Sequence, residues 1–182
     1  MKVSFTGAQS TGKTTLLNKC KEVYKDYSFV DEVTRHVKKS YGVVINEDGG
    51  DATQLYILSE HIKNHLRSDE NLILDRCILD GFIYTKYLFW NQKVGSDVMS
   101  AYTSIFPCLY NMLDIVFYTD PSDVKLVDDG ERSIDINFRN DIIDTFDKFI
   151  KSKILPLSET NKIVTLSGTV EQRMETIKKY LK

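Results

Sequence analysis

Residues 7 to 14 read G-A-Q-S-T-G-K-T, two glycines five apart with the second followed by a lysine and a threonine. Those residue types at that spacing suit one task. Glycines let consecutive backbone N–H groups turn inward around phosphate oxygens, and a helix opening at the lysine aims its positive end at the same anion. The stretch is a full match to the phosphate-binding pattern GxxxxGK[ST], in which the backbone through Gly7, Ala8, Gln9, Ser10, Thr11 and Gly12 cradles phosphates. Lys13 then bridges the β- and γ-phosphates and the Thr14 hydroxyl holds Mg²⁺, with Thr15 next in line. The expected ligand is a nucleoside triphosphate, ATP with magnesium.

Other charged residues fall where they could serve that ligand or an acceptor. "NLILDR" ends an apolar run in Asp75 and Arg76. A carboxylate there can hold magnesium or accept a proton from an acceptor hydroxyl, and the guanidinium can stabilise a transferring phosphoryl group or bind an acceptor phosphate. "FVDEVTRHV" sets Glu32 and Arg35 three apart, on one face if a helix begins there, a pairing able to bind acceptor hydroxyls or phosphate. "LVDDGERSIDINFR" carries Asp128, Asp129, Gly130, Arg132 and Arg139 and reads as a flap bringing arginines onto the transferring phosphate. "TLSGTVEQR" puts Gly168 where a backbone turn can face a purine. His61 and His65 are i,i+4, yet nothing supplies a third metal ligand.

The elements that must carry these residues alternate. Five β-branched or aromatic runs predict strands at 2–5, 28–32, 71–75, 114–120 and 162–167, and helical stretches follow or precede them at 13–27, 52–68, 136–154 and 169–182. Thr169 with Gln172 three residues on predicts a capping box for the last helix. Strand-then-helix alternation predicts an α/β three-layer sandwich, a five-stranded parallel sheet with helices on both faces. Ligands in such folds gather at the carboxyl ends of the strands, where every motif above falls.

Bulk properties narrow the partners. A chain of 182 residues with no linker or repeat is expected to be one domain, residues 1–182, and 42% hydrophobic with 27% charged residues is ordinary for a globular protein. A net charge of −2 argues against duplex nucleic acid and anionic membranes. Three scattered cysteines, no signal-peptide pattern and no apolar run of membrane-spanning length lead to the expectation of a cytoplasmic location, with self-association left open.

Taken in order, "GAQSTGKTT", "VDEVTRHV", "LILDR", "VDDGERSIDINFR" and "TLSGTVEQR" resemble the small P-loop nucleoside and nucleotide kinases, most closely proteins similar to the ribosylnicotinamide kinase domain. The resemblance spans nearly the whole chain. It implies the P-loop NTPase fold, with Lys13 and Thr14 at the ATP·Mg site, Glu32 and Arg35 on the acceptor side, and Asp75 as the magnesium-linked or base carboxylate. It further implies Arg132 as a flap arginine and Gly168 as a neighbour of the adenine. The Asp75–Arg76 pair looks more like the DR pair of thymidylate kinase-like enzymes, and other acceptor-recognition residues of ribosylnicotinamide kinases have no match here. The expected reaction is γ-phosphoryl transfer from ATP to a nucleoside monophosphate or nucleoside, nicotinamide riboside among them. The DR pair and the flap arginines favour a monophosphate, whose charge they could hold. A regulatory ATPase and a polynucleotide 5′-kinase are the competing readings.

Overall fold

The computed structural model describes residues 1–122, 135–151 and 162–181. Five parallel strands, β1 (Lys2–Thr6), β2 (Ser28–Val30), β3 (Leu72–Asp75), β4 (Ile115–Thr119) and β5 (Lys162–Leu166), lie in the order β2-β3-β1-β4-β5. Seven α-helices accompany them among the described residues: α1 (Lys13–Val23), α2 (Val33–Tyr41), α3 (Asp51–His65), α4 (Ile78–Trp90), α5 (Ser96–Tyr110), α6 (Ile136–Lys151) and α7 (Val170–Lys178). All five strand expectations and the helices at 13, 52, 136 and 169 are met, with ends shifted by a few residues.

Period-two alternation sends successive strand residues to opposite faces. Val3, Phe5, Ile73, Ile115 and Phe117 join Leu16, Leu17 and Cys20 of α1 and Met174 and Ile177 of α7 in one core. Leu72, Leu74, Val116 and Tyr118 face the other way, onto α4, α5 and α6. The sheet is therefore the middle of three layers. Helices α4 and α5 were not legible as elements: α4, ILDGFIYTKYLFW, is buried over most of its surface, so it has no polar stripe to betray a 3.6-residue period.

β1 is central, with β3 and β4 on either side, and the chain leaves all three at the same edge. The turns after β1, β2 and β3 and the end of β4 thus converge, and charged residues from distant parts of the sequence meet there.

Candidate functional site

The phosphate-binding loop folds as its glycines require. Gly7 has φ +134°, and a Cβ built on it would lie 2.7 Å from the Thr119 hydroxyl at the end of β4. Gly12 has φ +89° and immediately precedes α1. Any other residue at either position would strain the turn. Ser10 also takes a positive φ, 55°. Gly7 through Thr11, with Lys13, are buried or nearly so, whereas Thr15 is exposed. Lys13 Nζ donates to the carbonyls of Gly7 at 2.8 Å and Ala8 at 2.5 Å and to the Thr11 hydroxyl at 3.2 Å, so the ammonium sits inside the loop. Burial, seconded by the nearby Arg76 charge, pulls its pKa down to about 7.

Thr14 and Asp75 meet. The Thr14 hydroxyl donates to Asp75 Oδ2 at 2.7 Å, while the other oxygen, Oδ1, is buried with no partner among the described residues. Burial and then the neighbouring Glu32 carboxylate push the Asp75 pKa up. A hydroxyl beside a partly unsatisfied carboxylate is the donor set a magnesium ion takes, so the pair fits the cation that accompanies a bound triphosphate. Arg76 has φ +76°, and its Nη1 lies 3.5 Å from the Gly7 carbonyl of the loop. Its Nε donates to Glu32 Oε1 at 2.9 Å, and its Nη1 pairs with Asp80 Oδ1 at 3.3 Å. The ring of Tyr84 lies 5.4 Å from the guanidinium carbon. Arg35 Nε reaches Glu32 Oε2 at 3.2 Å, so both guanidiniums grip one carboxylate. Burial alone would raise the Glu32 pKa; the charge of Arg76, helped by Lys13 and Arg35, overcomes it and holds the carboxyl below its usual range.

Beside this ion-pair cluster a pocket opens, lined by Glu32, Thr34, Gln54, His61, Arg76 and Tyr84 among others. Gln54 is fixed by the Thr85 hydroxyl, which donates to its Oε1 at 2.9 Å. Burial, then the nearby His65 and Arg76, keep His61 neutral, and its Nδ1 has no partner. The pocket and the loop share walls. Asp80 accepts from the Thr6 hydroxyl at 2.7 Å and from the Gly7 N–H at 3.3 Å, and the Tyr84 hydroxyl donates to Gln9 Oε1 at 2.9 Å.

Of the expected residues, Gly7 through Thr14, Glu32, Arg35, Asp75 and Arg76 are brought together. Arg139 lies on the loop side of that group, its Nε 3.4 Å from the Gln9 carbonyl. Gly168, φ +84°, stands at the β5–α7 turn, and Thr169 with Gln172 forms the expected capping box. Arg132, with Asp128, Asp129 and Gly130, lies outside the described residues. Gln54, His61 and Asp80 were missed, as was Arg173 of α7, whose guanidinium reaches three backbone carbonyls. Only Asp80 had a local signal: it stands i,i+4 from Arg76 in a stretch that opens a helix.

The AAA domain family profile matches residues 2–173. No curated protein matches the chain. Among solved structures, deoxyadenosine kinase from M. mycoides with the products dCMP and a flexible dCDP bound superposes with a TM-score of 0.69 at 19% identity, over 98% of this chain and 97% of that one. The same enzyme with dATP bound gives 0.65 at 20% identity, over 98% of each chain. NadR protein in complex with NR gives 0.67 at 16% identity, over 97% of this chain and 49% of that one, so this chain spans about half of NadR. These likenesses establish the fold, a three-layer P-loop sandwich matching that of deoxyadenosine kinase.

Proposed function

The chain belongs to the AAA domain family, and within it we propose a nucleoside kinase, one that moves the γ-phosphoryl group of ATP·Mg to a hydroxyl of a nucleoside that carries no phosphate. The observation that carries the reading is Glu32. This carboxylate is clamped by Arg76 and Arg35 and faces a pocket that adjoins the phosphate loop through Asp80. Held ionised, it can accept the acceptor's proton as the hydroxyl oxygen attacks the γ-phosphorus and the bond to the departing ADP breaks. Lys13 is the loop's own cation for the transferring group, and it must leave the Gly7 and Ala8 carbonyls to reach it. Magnesium held by Thr14 and Asp75 would neutralise charge on the β- and γ-phosphate oxygens.

The proposal departs from the expected monophosphate acceptor on one observation. Among the described residues, the arginine that was to hold an acceptor phosphate, Arg76, is already paired with Glu32 and Asp80 inside the protein. Replacing those partners by a solvated phosphate would take from the buried Glu32 and Asp80 carboxylates the guanidinium that pairs with both. A neutral hydroxyl acceptor needs no such exchange. On this reading the roles left open between carboxylates divide: Asp75, hydrogen-bonded to Thr14, would serve the cation, and Glu32 would serve the acceptor. The bound molecules of the neighbours, a deoxynucleotide in one and NR in the other, fit a pocket for nucleosides or their products.

The reading is tested by incubating the chain with ATP, Mg²⁺ and a panel of ribo- and deoxynucleosides including nicotinamide riboside, and following phosphorus NMR. A new monophosphate resonance appearing in step with ADP is expected; ADP with inorganic phosphate alone would contradict it.

A further inference from the structure

The donor side contains a buried cation that the transfer chemistry does not use. Arg173, on α7, is 2% exposed. Its Nε donates to the Gly168 carbonyl at 3.0 Å, its Nη1 to the Thr11 carbonyl at 2.8 Å and its Nη2 to the Asp120 carbonyl at 3.0 Å. One planar group thus joins three segments: the phosphate loop, the end of β4 and the turn between β5 and α7. Lysine could not replace it, because a single ammonium on a flexible stem has no fixed fork to span three separate acceptors.

The bond to Thr11 has a consequence for the other side of the peptide. In a trans peptide the C=O and N–H point in opposite directions. Holding the Thr11 carbonyl back against Arg173 therefore fixes the Gly12 N–H on the face turned away from α7. Gly12 is the residue that opens α1, where unpaired N–H groups and the helix dipole favour an anion. Glycine has no Cβ to limit how that peptide rotates, so a restraint from outside the loop can set its orientation. The guanidinium is that restraint, with Nη1 3.7 Å from where a Gly12 Cβ would stand.

We propose that Arg173 is a positioning residue for the donor triphosphate: it orients the Thr11–Gly12 peptide for the phosphates and locks it to the Gly168 turn. The proposal rests on the reading that the loop binds a nucleoside triphosphate. It does not depend on which acceptor is used.

The experiment is calorimetric titration of the full chain with MgATP and with magnesium tripolyphosphate, for wild type, R173K and R173Q, alongside ligand-free thermal unfolding. Loss of hydrogen bonds to a charged donor predicts affinity for both ligands lower by about ten-fold in R173K and more in R173Q. The ligand-free midpoint of R173K should stay within about 3 °C of wild type. A merely structural arginine would shift that midpoint and leave the affinity of the folded protein alone. R173K binding both ligands as tightly as wild type overturns the proposal, and so does failure of both variants to fold. Wild-type chain that binds neither ligand would overturn the triphosphate reading as well, a result distinct from wild-type binding that the variants match.

Discussion

The phosphate loop and the pocket beside it lie wall to wall at one edge of the sheet, yet they are built on opposite plans. The loop is a run of consecutive residues, Gly7 to Thr14, whose shape comes from backbone conformation at Gly7, Ser10 and Gly12 and whose lysine closes back onto its own carbonyls. The pocket is assembled from Glu32, Gln54, His61, Arg76 and Tyr84, and its central bond, Arg76 to Glu32, joins residues 44 apart in sequence. Local geometry makes a general anion seat; long-range ion pairing makes a particular pocket beside it. Asp80 belongs to both, since it holds Arg76 on one side and the Thr6 hydroxyl and Gly7 N–H on the other.

If the two halves divide the work in this way, damage to them must differ in kind. Lys13→Ala removes the ammonium held inside the loop and should lower kcat about a thousand-fold, with acceptor KM little changed. Glu32→Gln should lower kcat about a hundred-fold while leaving the affinity for ATP near wild type, measured by calorimetry. A Glu32→Gln variant that loses ATP affinity instead would erase the distinction between the halves. Asp80→Asn strikes their junction: it takes a carboxylate from the buried Arg76 and should cost about 3 kcal/mol in chemical denaturation, besides weakening both ligands.

A smaller effect is set by pH. Lys13, at about 7 in the ligand-free chain, is depressed below the ordinary lysine value by burial and Arg76. The unfolded chain therefore binds the extra proton between pH 7 and about 10, and the ligand-free protein gains stability as pH rises through that window. Polyphosphate would hold the same ammonium charged, so ATP binding at pH 8 should take up about one proton and its affinity should fall as pH increases above 7. Titration in buffers of different ionisation enthalpy reads that proton directly.

The same contrast explains what the sequence disclosed. The loop is legible because its meaning lies in a contiguous pattern, and the strands because their apolar runs are short and bounded; Thr169 with Gln172 was legible as a box at fixed spacing. Asp75 and Arg76 stood out at a strand end, but whether Asp75 served metal or proton transfer depended on Thr14 and Glu32 being its neighbours in space. Gln54 and His61 lie on α3, where a glutamine and a histidine look like any half-buried polar residues until α4 is packed against them. Arg173 reads as one more surface cation of an amphipathic helix, and only the arrangement of three chain turns around it makes it buried.

The measurement that bears most directly on the central claim is ADP release from MgATP with a nucleoside, with the corresponding nucleoside monophosphate and with no acceptor, in parallel. The account predicts release with at least one nucleoside faster by about ten-fold or more than with its monophosphate or the blank. Equal or faster release with the monophosphate would place the acceptor's charge where Arg76 was argued to be already paired, and release indifferent to every acceptor would contradict a kinase altogether.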